Sequence, residues 1–209
     1  MIRREVNGFT LIELTVVLVI IGLLFAMVLG GRGMIESAKV ANTVAMAKDI
    51  SNASRAFKEK YKYWPGDLPL AANSLPNLPA ACNFTLATGN IGNGVIDTPD
   101  ESACAVEELF QAGLIRADLI AGASLHILST DYGPARVIAA SASNVTNFLP
   151  GINVIEFPGL PCSMVLSVDS KLDDGDISST SGGRAKSSVA TCVPGTTNDP
   201  VPFYAVAVN

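Results

Sequence analysis

Glu13 is the residue in the chain most in need of a chemical partner. It stands inside Phe9–Gly31 (FTLIELTVVLVIIGLLFAMVLGG), a run that is apolar apart from Thr10, Glu13 and Thr15. Roughly 20 apolar residues at a rise of about 1.5 Å each span a bilayer core. An unpaired carboxylate within such a span costs about 3 kcal/mol or more, and the run contains no base. Ahead of it lies MIRREVNG, short and polar, with Arg3 and Arg4. Hydrolysis of the peptide bond after Gly8 gives Phe9 a free α-amino group one helical turn from Glu13. That amine can pair with the carboxylate of its own subunit or with that of a neighbouring helix shifted along a bundle. The second pairing is a register device, because one mispaired charge in an apolar bundle is costly. The residues leave both pairings open.

A conventional secretory signal places its cleavage site after the apolar stretch and discards the stretch. Here Gly8 precedes it, so a cut at Gly8 keeps the helix as the new N-terminus. A plain single-pass anchor accounts for every feature of the segment except Glu13. Arg3 and Arg4 belong on the cytoplasmic side by the positive-inside tendency, which puts the chain after residue 31 outside the inner membrane of a two-membrane bacterium.

Four cysteines, Cys82, Cys104, Cys162 and Cys192, form no CxxC pair of the zinc or thioredoxin type. Their even number behind an export-type segment reads as disulfides made in an oxidising compartment. Three connectivities exist, and the sequence does not choose among them. Sequential pairing, Cys82 with Cys104 and Cys162 with Cys192, closes the shortest loops and is favoured; buried reduced thiols are the alternative.

Asp169, Asp173, Asp174 and Asp176 offer hard oxygens of the kind calcium takes. Their spacing is not that of an EF-hand and Lys171 intrudes, so a solvated acidic turn is the favoured reading and calcium the alternative. In Thr88–Asp97, asparagines at 90 and 93 stand where acids would help a metal. Catalytic chemistry is harder to find. The one histidine, His126, sits in an apolar context (SLHIL), and no nucleophile elbow, HExxH or phosphate loop occurs. The chain reads as non-enzymatic, with no cofactor required.

The elements that position these residues follow from composition. Apolar residues make up 49% of the 209 positions and concentrate at the N-terminus. Arg32–Lys62 holds seven bases against three acids, a balance of +4, and Tyr63–Asn209 five bases against fourteen acids, a balance of −9. Such a head does not attract nucleic acid, which is bound by clustered Lys and Arg. Arg55, Lys58, Lys60 and Lys62 interleave with Phe57, Tyr61, Tyr63 and Trp64, but the aromatics read as core and the bases as a solvated face.

Met46, Ile50, Ala53, Phe57, Tyr61 and Trp64 form one helical stripe, which Ile35, Ala38, Ala41 and Ala45 extend towards the N-terminus. The expected element is one helix from about Phe9 to about Tyr63, with Gly22, Gly30, Gly31 and Gly33 as weak points of roughly 1 kcal/mol each. Pro65 and Gly66 end it. Beyond Leu68, turn residues separate short segments: a helix over Glu101–Leu114 closed by Gly113, and strands at Ala135–Ala140, Asn153–Phe157, Met164–Val168 and Phe203–Val208.

Gly8-Phe9-Thr10-Leu11-Ile12-Glu13-Leu14, behind a short basic leader and ahead of an apolar run, resembles the prepilin motif of type IV pilins and type II secretion pseudopilins. The likeness covers about the first 60 residues strongly. It implies that a prepilin peptidase cleaves after Gly8 and methylates the amine of Phe9, that Glu13 guides docking onto the adjacent subunit, and that the helix melts partly over Gly22–Gly30 on assembly. A bridged Cys162–Cys192 region would resemble the disulfide-bounded, surface-exposed C-terminal region of pilins. The segment from Gly89 to Ile115 and the one from Asp169 to Gly183 are also similar to longer pilin-like proteins.

The expected fold is therefore α+β and pilin-like: a long N-terminal helix, membrane half plus amphipathic half, packed against a small antiparallel-sheet head. Its parts are a leader at 1–8, a transmembrane and filament-core helix at 9–31, an amphipathic stalk at 32–64 and a globular head at 65–209. The expected role is a structural subunit of a type IV pilus or pilus-like filament. The alternatives are a type II secretion pseudopilin, a low-copy minor pilin, or a non-polymerising membrane-tethered binding domain. Partners would be other subunits, the prepilin peptidase, the pilus or secretion assembly machinery and, before assembly, the inner membrane with the head in the periplasm. After assembly the subunit would lie in an extracellular pilus or a periplasmic pseudopilus.

Overall fold

A computed structural model of the chain describes residues 8–69, 75–84, 91–119, 123–178, 182–196 and 199–208, without the side chains of 28–32. The leader Met1–Asn7, with Arg3 and Arg4, lies outside the described residues, as do Gly89 and Asn90. Helix α1 (Leu11–Tyr61) is followed by α2 (Pro99–Gln111), strands β1 (Asp118–Leu119), β2 (His126–Ile127), β3 (Arg136–Ala139) and β4 (Asn153–Leu160), helix α3 (Cys162–Leu172), and strands β5 (Ala185–Ser187) and β6 (Val201–Ala207). The architecture is α+β. The chain divides into two compact units, residues 1–39 and 40–209.

In the first unit the backbone is helical from Leu11 onward, through the glycines at 22, 30, 31 and 33. The second unit is built on the C-terminal part of α1. Val40, Val44, Ala47, Ile50, Ala53 and Phe57 are buried there, at the three- and four-residue spacing of one helix face. That stripe differs from the expected one at its N-terminal end. Val40, Val44 and Ala47 carry it, whereas Ile35, Ala38, Ala41 and Ala45 are exposed. Val40 and Val44, each one residue before an alanine of the expected stripe, take the place of Ala41 and Ala45 on the buried face.

A four-stranded antiparallel sheet of order β3-β4-β6-β5 shares this core. Ile155 pairs with Val137 on one side and Val206 on the other, and Phe157 with Tyr204. One sheet face contributes Val137, Ile155, Phe157, Tyr204 and Val206 to the main core; the other holds Ile138, Val154 and Ala205 with Val145 in a smaller cluster. Ser51 Oγ and Arg55 Nε both donate to the Val208 carbonyl, at 2.8 and 3.1 Å, fastening α1 to the end of β6.

Two expectations are corrected. Met164–Val168, read as a strand, lies in α3: Pro161 precedes the first turn, and Met164, Val165, Val168 and Asp169 are buried at helical spacing while Ser167 faces solvent. A five-residue apolar run carries too little periodicity to separate strand from helix. The Cys162–Cys192 region, expected on the exterior, instead holds α3 and β5, and Ala185, Lys186 and Ser187 are all buried in the sheet. The disulfides join Cys82 to Cys104, with Cα atoms 5.5 Å apart, and Cys162 to Cys192, at 5.7 Å.

Candidate functional site

The start of α1 is a capping box. Thr10 is the residue before the helix, and its amide and hydroxyl both donate to Glu13 Oε2, at 2.9 and 2.8 Å. In return the Glu13 amide donates to Thr10 Oγ1 at 3.3 Å. Two of the amides that a helix start leaves without partners are thus satisfied reciprocally, with a negative charge placed at the positive end of the helix dipole. Glu13 Oε1 accepts no hydrogen bond among the described residues. Thr15 Oγ1 donates back to the Ile12 carbonyl at 2.9 Å, so every polar side chain of the run is hydrogen-bonded within its own helix. Thr10 was missed as the immediate partner of Glu13, although the T-x-x-E spacing that signals it stands in the sequence.

Among the described residues nothing is packed around this box. Phe9 is 88% exposed, and the large apolar side chains of Leu11–Met27 are exposed as well, down to Ile21 at 43%. A Cβ added at Gly8, Gly22 or Gly33 would meet nothing within 4 Å, so the fold of the single chain does not require glycine there. A helix that is apolar on all sides needs lipid or other helices around it. Among the described residues no helix is long and apolar enough to cross a membrane. The sequence carries the apolar run on to Gly31, past Met27, where the described side chains stop.

Asp169, Asp173, Asp174 and Asp176 each accept a hydrogen bond from the chain itself. Asp169 is fully buried and accepts from the Tyr204 hydroxyl at 2.9 Å. Asp173 takes the Ala185 amide, Asp174 the Asp176 amide and Asp176 the Ser178 amide, each at 2.9 Å. They serve as turn and strand acceptors, and among the described residues no group of three or more His, Cys, Asp or Glu is placed to hold a metal ion. Burial raises the Asp169 carboxyl, against the Tyr204 hydrogen bond, and raises the Tyr204 phenol too. His126 is occupied by structure: its Nδ1 lies 2.7 Å from Glu107 Oε2 and its ring stacks on Phe110 at 3.8 Å. Of the aromatic residues at the end of α1, Phe57 and Trp64 are buried, and Lys58 Nζ lies 4.2 Å over the Trp64 ring.

A second constellation was invisible as such in the sequence. Trp64-Pro65-Gly66-Asp67 is a tight turn closed by the Asp67 amide on the Trp64 carbonyl at 3.1 Å, with Gly66 at φ +90°. It lies directly on α2: a Cβ at Gly66 would come within 2.3 Å of the Glu101 carbonyl oxygen. Asp67 Oδ1 accepts from the Gly92 and Asn93 amides and Oδ2 from that of Gly94 at 2.8 Å. Glu101, three residues beyond Thr98, closes a capping box on α2 and accepts the Asp97 and Thr98 amides at 2.8 and 2.9 Å. Glu108 accepts the Gly66 amide at 2.7 Å. Burial raises the carboxyls of Asp67 and Glu101 despite those amides, and pushes that of Glu108 up to about 8. Its neighbour Glu107 goes the other way. Burial opposes the shift, but hydrogen bonds from Gln111 and His126 outweigh it and lower the carboxyl.

Gly8, Phe9 and Glu13 thus stand together at one exposed helix start, remote in sequence from the buried acids of the head. No curated protein and no solved structure matches the chain. Residues 3–29 match the family model described as Prokaryotic N-terminal methylation motif. The segment that holds Gly8, the Thr10–Glu13 box and the exposed apolar helix therefore falls within a match to a prokaryotic N-terminal methylation motif, the kind of motif carried by type IV pilin-like precursors.

Proposed function

We propose that the chain is a structural subunit of a type IV pilus or pilus-like filament, cut after Gly8, methylated on the Phe9 amine and assembled by packing of α1 against other copies of α1. The observation that carries this reading is the half-used carboxylate of Glu13. Its Oε2 is taken up by Thr10, while Oε1 is left to an incoming donor. Hydrolysis of the Gly8–Phe9 bond supplies that donor as a protonated amine, and methylation leaves it able to carry its charge, as it does for lysine. Pairing removes much of the cost of holding a carboxylate in an apolar bundle. The exposed side chains of Leu11–Met27 exchange lipid for neighbouring helices, with apolar burial contributing about 25 cal/mol per Å² kept from water. Before assembly the precursor sits in the inner membrane with its head in the periplasm.

Mass spectrometry of the full chain recovered from the producing cell tests this. A mature protein beginning at methylated Phe9 is expected, and an intact Met1 sinks the reading. A Glu13→Ala variant should insert in the membrane as the parent does and fail to enter fibres; unimpaired fibres would remove Glu13 from the assembly step.

A further inference from the structure

Glu108 is a carboxyl group that neither the capping of α2 nor the N-terminal segment uses. It is fully buried. Its Oε2 accepts the Gly66 amide at 2.7 Å, and its Oε1 is buried with no hydrogen-bond partner. The ionisable groups that face it are acids: Asp67 from the turn and Glu101 from its own helix, with Asp97, in the loop before α2, facing both of those. Among the described residues no base forms an ion pair with Glu108, Asp67 or Glu101.

The three buried carboxyls are not equally equipped to carry charge. Asp67 accepts three backbone amides and Glu101 two, arrangements that favour an anion. Glu101 and Glu108 each keep one buried oxygen without a partner, but Glu108 has a single amide to set against the same acidic surroundings. An ionised Glu108 would be a third buried negative charge without a cation, whereas a neutral carboxylic acid keeps the Gly66 bond and removes the repulsion.

We propose that Glu108 is a proton-loaded clasp: as a neutral acid it holds the Trp64–Asp67 turn, where the chain leaves α1, against α2, and loss of that proton frees the turn. The turn has little room to adjust, since a side chain at Gly66 would strike the Glu101 carbonyl. Desolvation is the largest cause of the proton's retention to about pH 8, the charges of Asp67 and Glu101 add to it, and the Gly66 amide works against it. Unfolded, the same glutamate releases its proton near pH 4.5. The folded head therefore holds one extra proton between these values. The stabilisation is complete below the lower value, declines as pH rises, and is gone above the upper one.

The chain carries its own reporter, because Trp64 is its one tryptophan and lies in the turn, 6% exposed. In the full chain held in detergent micelles, tryptophan emission should shift to the red in a single transition with a midpoint of about 8. Glu108→Gln, which copies the neutral acid and still accepts the Gly66 amide, should abolish the transition. Lys58 Nζ lies over the Trp64 ring, and Lys58→Arg, charged throughout, should leave the midpoint in place. A transition unchanged by Glu108→Gln, or none in the parent, overturns the proposal. Carboxyl carbon NMR of the parent supplies a reading that needs no variant to fold. One glutamate resonance is expected to move near pH 8, and titration of every glutamate below about pH 6 would overturn the clasp as well.

Discussion

Thr10-Leu11-Ile12-Glu13 and Thr98-Pro99-Asp100-Glu101 are the same device at two helix starts. In each, the threonine precedes the helix and the glutamate three residues on returns its carboxylate to the threonine amide. Their surroundings are opposite. Glu101 is fully buried under the Trp64–Asp67 turn, while Glu13 stands exposed among apolar side chains with no other part of the described chain on it. Local sequence therefore fixes the cap, and what lies around the cap decides what it is for. Covered, the box is part of the packing of the head; uncovered, it leaves a carboxylate exposed, the one for which we propose a partner outside the chain.

The contrast can be broken most forcefully at the cover. Gly66→Ala forces a side chain onto the Glu101 carbonyl at a left-handed position, and is expected to destabilise the head by about 3 kcal/mol or more in urea unfolding. A change under about 1 kcal/mol would mean that the turn does not rest on α2. Next come the caps themselves. Thr98→Ala should lower head stability by about 1 kcal/mol, whereas Thr10→Ala should leave it within about 0.5 kcal/mol and weaken fibre formation instead. Equal losses of head stability from the two substitutions would erase the distinction drawn between them. The smallest expected effect is in acid. Because the folded Glu107 carboxyl lies below its unfolded value, its stabilisation is present above about pH 4.5 and lost as pH falls. Glu107→Gln should flatten the acid limb of the stability profile measured by urea midpoints, and a limb as steep as the parent's would refute the assignment.

Legibility followed the same line between local and non-local. The N-terminal motif was legible because it lies within one short segment, and α2 because Gly113 marks its end, although the expected start at Glu101 falls two residues inside the observed one at Pro99. The pairing of Cys82 with Cys104 and Cys162 with Cys192 was favoured on loop length alone. α3 was missed because Met164–Val168 is shorter than the period needed to tell helix from strand. β5 was missed because Lys186 and Ser187 carry no apolar signal and are buried only by the neighbouring strand β6. The cluster of Asp67, Glu101 and Glu108 was out of reach for a stronger reason. Its members lie up to 41 positions apart in sequence, and their altered acidity comes from burial, which no residue type announces.

The two disulfides close loops of 22 and 30 residues that follow one another without overlap. A chain threaded through a membrane from its N-terminal side delivers Cys82 and Cys104 together before Cys162 arrives, and Cys192 only after that. In the exported subunit proposed above, each cysteine would then meet its native partner before the next pair emerges, so oxidation could keep pace with export without a later exchange of bonds.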